Sequence, residues 1–204
     1  MVDAKIFRQE MLTEAAAYLH AGGVLAYPSE SVWGLGCDAF DAAALERVIA
    51  LKSRDVGKGL IVLTDSADRL GSLLNVSHET FLDIDQLQQY SLNFTQEHAR
   101  ALTWLVPVKS GVLPKVLTGA HTSLAVRITT HPLLAKLCAE MVSAHNPYGL
   151  LVSTSCNLSG QAPATTLDTA MAAFGDRVAY LDAEGLGFDQ PSCIMDLVTG
   201  KVLR

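Results

Sequence analysis

The sequence predicts an α/β domain built on a mixed β-sheet, and three observations carry that reading. Short apolar runs of strand length alternate with stretches of helical periodicity along all 204 residues. Half of the residues are apolar and 18% are charged, a globular composition. No internal repeat, low-complexity tract or Gly/Ser/Pro linker divides the chain, so residues 1–204 are expected to form a single domain. A domain of this size hides roughly 70% of its unfolded surface and needs no disulfide or structural metal.

The elements follow in order. Phe7, Met11, Leu12, Ala15 and Leu19 fall at helical spacing over residues 7–20, and Gly22-Gly23 ends the run. VLAY at 24–27 reads as a strand. Residues 41–51 read as a helix, with Asp41 at its N-cap and Leu45, Val48 and Ile49 facing a core. LIVL at 60–63 is a strand, and 66–75 and 78–90 are expected to be mostly helical. TWLVPV (103–108) and SLAVRIT (123–129) are strand-like. A helix over 131–144 carries Pro132 in its first turn. LLVST (150–154) is a strand and 167–175 a short helix ended near Gly175. VAYL (178–181), CIMDL (193–197) and KVLR (201–204) read as closing strands, with a turn at Thr199-Gly200.

Composition also excludes some functions. No apolar run reaches the ~20 residues of a membrane span, and the first residues show no secretory pattern, so the expected compartment is the cytoplasm. Cys37, Cys138, Cys156 and Cys193 form no C-x-x-C pair or zinc-spaced cluster and are expected to be free thiols. A formal charge of −6 argues against a surface coated for nucleic acid, though not against a local basic cavity.

Four segments place small polar or basic residues beside apolar strands, where α/β proteins build sites. In YPSESVWGLGCDA (27–39), Ser29 and Glu30 follow the strand, and Gly34 and Gly36 let backbone approach a neighbour or a ligand. Alone, that G-x-G reads as backbone geometry rather than as a dinucleotide fingerprint. In LKSRDVGKGLIVL (51–63), Lys52, Arg54 and Lys58 suit a polyphosphate or carboxylate, and equally a helix end that favours cations. In LLVSTSCNLSG (150–160), Ser153, Thr154, Ser155, Asn157 and Ser159 follow a buried strand; their donors suit phosphate oxygens, or a Ser/Asn turn. In SLAVRIT, Arg127 sits inside an apolar strand and needs an anion, either a fixed Asp/Glu or a substrate carboxylate. Ser192 and Arg204 flank the last strands. No G-x-S-x-G elbow marks a serine nucleophile, and no histidine lies in a catalytic setting; His131 reads as a helix start.

Taken in order, YPSESVWGLGCD, LKSRDVGKGL, SLAVRITTHPL and LVSTSCNLSG resemble the YrdC-like family of threonylcarbamoyl-AMP synthases, in its short bacterial form. The K-x-R signature of that family matches Lys52-Ser53-Arg54, and its S-x-N signature matches Ser155-Cys156-Asn157. The resemblance implies a twisted open sheet flanked by helices around a concave basic cavity. It implies ATP, L-threonine and bicarbonate as substrates, with Mg²⁺ accompanying ATP. It places Lys52, Arg54, Ser155 and Asn157 around the phosphates and the reacting carbamate, with Lys58, Ser123 and Arg204 on the nucleotide. Ser29, Arg127, Ser153 and Ser192 would hold threonine, with Arg127 on its carboxylate. Residues 98–101 read His-Ala-Arg-Ala where relatives carry W-P-G-P, and only Thr103 of that segment persists.

The implied chemistry uses no protein nucleophile. The threonine amine takes up bicarbonate or CO₂ as a carbamate, which attacks the α-phosphate of ATP and releases pyrophosphate. Fixed cations and donors would align the reactants and offset their charge. Partners implied are tRNA and the machinery that transfers the threonylcarbamoyl group. Three other readings stand beside this one: an RNA-binding factor of the same fold, a carbamoyl-transfer module of the hydrogenase-maturation kind, and a nucleotide binder inactivated at 98–101.

Overall fold

The computed structural model describes residues 4–75 and 80–204. Its elements in chain order begin with β1 (Ile6–Arg8), α1 (Leu12–His20), β2 (Leu25–Tyr27), β3 (Gly34–Gly36) and α2 (Ala42–Lys52). There follow β4 (Ile61–Thr64), α3 (Ile84–His98), β5 (Leu102–Pro107), α4 (Lys115–Thr118) and β6 (Ser123–Ile128). The last are α5 (Pro132–Glu140), β7 (Leu151–Ser155), α6 (Leu167–Phe174), β8 (Ala179–Asp182) and β9 (Cys193–Asp196). The strands form one nine-stranded sheet in the order β1-β8-β2-β3-β7-β4-β6-β5-β9. It is mixed: β4 runs parallel to β6 and β5 to β9, whereas β3 and β4 both pair antiparallel to β7.

Local chemistry sets the helix ends. The Asp41 carboxylate accepts the Ala44 amide at 2.9 Å, which starts α2. Thr166 caps α6, and Gly175 ends it at φ 58°. Pro132 opens α5, where its missing N–H costs nothing.

Period-2 alternation divides the strand residues between the two faces. Val62, Trp104, Leu124, Val126, Val152 and Met195 point into the larger core. There they meet Leu45 and Val48 of α2, Leu87 of α3 and Phe174 of α6. On the opposite face, Tyr27, Leu63, Leu151 and Leu181 pack under α1 and α5 against Leu19, Leu134 and Leu137. Each fully buried side chain of this kind stabilises the fold by about 1.5–3 kcal/mol. Helices α1 and α5 cover only part of that second face.

The sheet differs from the expected elements in several places. Residues 7–20 are not one helix. Phe7 is buried in a three-residue strand whose flanking residues Ile6 and Arg8 are exposed, and the helix starts only at Leu12. Gly34–Gly36 is a strand, because β2 and β7 close on it from both sides. A Cβ on Gly36 would lie 1.6 Å from the Val152 carbonyl oxygen, which fits the geometric reading of that glycine pair. Residues 66–75 hold a 3₁₀ turn at Asp68–Leu70 rather than an α-helix. Of the helix expected over 78–90, residues 78 and 79 lie outside the described residues, and the helix observed runs from 84 to 98. The helix expected to reach 144 stops at Glu140. Residues 201–204 form no full strand but fold back on β9 through single bonds such as Leu203 N–H to the Ile194 carbonyl, 2.8 Å. All four cysteines are free and buried.

Candidate active site

The uncovered part of the second face forms the floor of two adjoining cavities. Ile61 of β4, Ser123, Ala125 and Arg127 of β6, Ser153 and Ser155 of β7, Leu105 of β5 and Ile194 of β9 all project there. The neighbours of these residues in sequence are the core residues of the other face, so one alternation builds both core and site. The first cavity, about 480 Å³, is walled by Ser29, Arg54, Arg127, Ser153, Ser155 and Ser192, with Asp189 and Gln190 on its rim. The second, about 560 Å³, is walled by Lys58, Leu117, His121 and Ser123. Arg54, Ile61 and Arg204 line both.

A chain of polar groups runs beneath the first cavity. Arg127 Nη1 donates to Glu30 Oε2 at 2.8 Å, and Glu30 is wholly buried. Glu30 Oε1 accepts from the Thr129 hydroxyl at 2.7 Å and the Thr130 amide at 3.3 Å. Burial alone would raise the Glu30 pKa; the Arg127 charge and the Thr129 hydroxyl outweigh it and hold the carboxyl below its ordinary 4.5. Arg127 Nε reaches Thr103 Oγ1 at 3.4 Å, and the Thr103 hydroxyl donates to Ser192 Oγ at 3.1 Å. Arg204 Nη2 donates to the same Ser192 oxygen at 3.2 Å. Burial, then the nearby Arg100 and Arg127 charges, push the Arg204 pKa down from 12.5. Such crowding of cations favours an anion between them.

The K-x-R and S-x-N residues meet across the other wall. Lys52 is the last residue of α2, and Ser53 follows in the left-handed region at φ 46°. That reversal sends Lys52 and Arg54 in different directions. Lys52 Nζ lies 2.6 Å from each of three oxygens: the Ser155 carbonyl, the Asn157 carbonyl and Asn157 Oδ1. Ser155 Oγ donates to Asn157 Oδ1 at 2.7 Å, and Asn157 Nδ2 donates to the Gln161 carbonyl at 2.6 Å. Burial, with Arg54 nearby, lowers the Lys52 pKa from 10.5 to about 8. Arg54 Nε and Nη2 both donate to the Gly59 carbonyl, at 3.2 and 2.9 Å, which holds the guanidinium at the junction of the cavities.

The structure thus brings nine of the sequence-predicted residues to the cavity walls: Ser29, Arg54, Lys58, Ser123, Arg127, Ser153, Ser155, Ser192 and Arg204. Lys52 and Asn157 lie beneath the loop that carries Ser155 and are not wall residues. Sequence reasoning left the anion for Arg127 open between a protein carboxylate and a substrate, and Glu30 is that fixed partner. It also assigned no role to Thr103, Thr129 or Asp189. The available signal was Glu30 itself, a carboxylate directly after an apolar strand. The altered 98–101 segment turns away from α3, and Arg100 Nε donates to the Pro191 carbonyl at 2.6 Å. It thereby holds the segment that carries Ser192.

The Sua5/YciO/YrdC family model, described as telomere recombination, matches residues 17–204. The threonylcarbamoyl-AMP synthase of Moraxella catarrhalis (strain BBH18) is 63% identical over 200 residues, covering 98% of each chain. That of Psychrobacter cryohalolentis is 46% identical over 205 residues, covering 94% of each. Among solved structures, P. abyssi Sua5 complexed with L-threonine superposes with a TM-score of 0.78 at 23% identity. The match covers 98% of this chain and 56% of that one, a likeness of fold.

Proposed function

The chain belongs to the Sua5/YciO/YrdC family, and from that premise and the two joined cavities we infer that it is a threonylcarbamoyl-AMP synthase. It condenses L-threonine, bicarbonate or CO₂ and ATP into threonylcarbamoyl-AMP and pyrophosphate. Threonine occupies the first cavity, its carboxylate on Arg127 and its remaining polar groups on Ser29, Ser153 and Ser192. ATP occupies the second, along Lys58 and Ser123, with its phosphates at the shared wall between Arg54, Arg204 and Ser155. Lys52 and Asn157 act from below by shaping the Ser155 loop. The observation that carries the reading is the shared wall: two cavities meet at two arginines, where an α-phosphate and a carbamate must meet.

The amine of threonine attacks CO₂ and releases a proton to solvent, or condenses with bicarbonate and releases water, and so becomes a carbamate. A carbamate oxygen then attacks the α-phosphorus, and the bond to the pyrophosphate oxygen breaks. Alignment of reactants can supply about 7–11 kcal/mol of such a barrier in favourable cases. Arg54 and Arg204 stabilise charge developing on the phosphate oxygens. Mg²⁺ would accompany the phosphates of ATP and share in offsetting their charge beside Arg54 and Arg204. Among the described residues no group of three or more His, Cys, Asp or Glu could hold a metal. The product passes to the transferase machinery that modifies tRNA, and the setting is the cytoplasm. No described helix is long and apolar enough to cross a membrane.

The test is a rapidly quenched reaction of the purified protein with ATP, Mg²⁺, bicarbonate and isotope-labelled L-threonine. Labelled threonylcarbamoyl-AMP and pyrophosphate are expected, each dependent on both threonine and bicarbonate. Nucleotide binding without product would set the reading aside in favour of a binding role.

A further inference from the structure

The structure assigns Glu30 as a positioning residue for carboxylate recognition: it sets the Arg127 guanidinium so that the first cavity selects an α-carboxylate over its neutral amide. The assignment rests on the reading of that cavity as an amino-acid site. Arginine on a strand has several rotatable bonds and, without a fixed partner, would sample many poses. Here two of its three nitrogens are committed, Nη1 to Glu30 and Nε to Thr103. Among the described residues no hydrogen bond engages Nη2, and Arg127 lines the cavity. The nitrogen left for a ligand is therefore determined by Glu30 and Thr103 together.

Glu30 is itself held. It has no solvent exposure, and its second oxygen takes both the Thr129 hydroxyl and the Thr130 amide, so the carboxylate cannot swing to follow Arg127. Its backbone carbonyl accepts the Phe188 amide at 2.9 Å, and the Ser29 carbonyl accepts the Leu186 amide at 3.2 Å. The same short segment thus fixes the arginine and anchors the strap leading to Ser192. The Glu30 charge is offset by Arg127 and by its hydroxyl and amide donors while it orders that cation. The Glu30 carboxylate touches no reactant; it acts only through Arg127.

The decisive comparison is calorimetric titration of the full chain with L-threonine and with L-threoninamide. The unaltered protein is expected to prefer the carboxylate. Glu30→Gln keeps shape and one acceptor but cannot accept from both Arg127 and the Thr129–Thr130 pair. It is expected to weaken L-threonine binding roughly 10- to 100-fold, the scale of one charge-assisted hydrogen bond, and to shrink the preference over the amide. Affinity for a non-hydrolysable ATP analogue is expected to hold. Thr129→Val removes the 2.7 Å bond to Oε1 and the acceptor of the His131 amide at 3.2 Å, leaving the Arg127–Glu30 bond in place, and is expected to give the same change in ligand preference at roughly 3- to 10-fold. It decides the matter alone if Glu30→Gln does not fold. A purely structural role would lower the melting temperature and leave the threonine-to-amide ratio unchanged, which overturns the assignment. A native protein that does not distinguish the two ligands overturns the amino-acid reading of the cavity, and this assignment with it.

Discussion

Two buried cations flank the site, Arg127 lining the first cavity and Lys52 beneath its edge, and they are held differently. Arg127 faces a carboxylate, Glu30, whose own second oxygen is fully engaged. Lys52 faces three neutral oxygens of the segment 155–157 and, among the described residues, no salt-bridge partner. An arginine keeps its proton at any working pH. A lysine that is buried without an anion gives its proton up more readily, here near pH 8. Arg127 is therefore a fixed cation, and Lys52 is a fastener that alkali can release. Arg127 and Lys52 are thus held by different means: one is ordered by an ion pair at the cavity, and the other is tied to the backbone of the segment 155–157.

The largest effect should come from breaking the ion pair. Arg127→Met leaves Glu30 buried with its charge uncompensated and is expected to cost about 3–5 kcal/mol in chemical denaturation. A loss below about 1 kcal/mol, the scale of exposed pairs, would mean that the two cations do not differ in this way. Next comes Arg54→Ala, which removes the guanidinium shared by both cavities. Product formation should fall about 100-fold or more with circular dichroism unchanged; native turnover would remove Arg54 from the mechanism.

The pH profile separates the two supports further. The native Lys52 pKa lies below that of the unfolded chain, so between about 8 and 10.5 the unfolded chain binds the extra proton. The stability contribution of this group therefore rises with pH across that window, while its hold on the Ser155 loop weakens. The KM for ATP should climb above about pH 8 without a matching fall in stability from Lys52, measured by initial rates and thermal melts on the same samples. Glu30 behaves oppositely. Its pKa is depressed, so its stabilisation is present above 4.5 and is lost as pH falls through the native value. Melts below pH 4.5 should show that loss, and Glu30→Gln should not. The smallest effect is at the turn between Lys52 and Arg54. Ser53 holds φ 46°, so Ser53→Gly should raise stability by roughly 1 kcal/mol and keep activity.

The sequence made the walls more legible than their supports. Ser153, Ser155, Arg127 and Ser123 interrupt apolar strands at alternate positions, and such an interruption can be seen in one dimension. The open half of the face cannot, because which strands α1 and α5 leave uncovered depends on tertiary packing. Strand β1 was missed for a related reason. Its three residues carry one buried side chain, Phe7, at a spacing from Met11 and Ala15 that a helix would also produce. Strand β3 was hidden because its glycines answer to Tyr27 and Val152 on neighbouring strands, not to any local propensity. The family's K-x-R signature puts Lys52 and Arg54 together on the phosphates; that they leave the chain in different directions follows from the left-handed Ser53 between them, which is not written in the residue type. Glu30 went unassigned because its partner lies 97 positions away.

The strand order has a consequence for how the chain reaches this state. Strand β1 pairs with β8, and β5 with β9, so sequence-distant segments must meet before either side of the sheet is complete. Contacts of such long sequence separation slow folding, since loop entropy is lost before contact energy is gained. During synthesis from the N-terminus, residues 6–8 wait for residues 180–182 to emerge. In that interval Phe7 lacks its strand partner, and the cavity floor lacks Ile194. The nascent chain is thus open to misassembly or chaperone capture until late, and catalytic competence arrives only when the last strands dock.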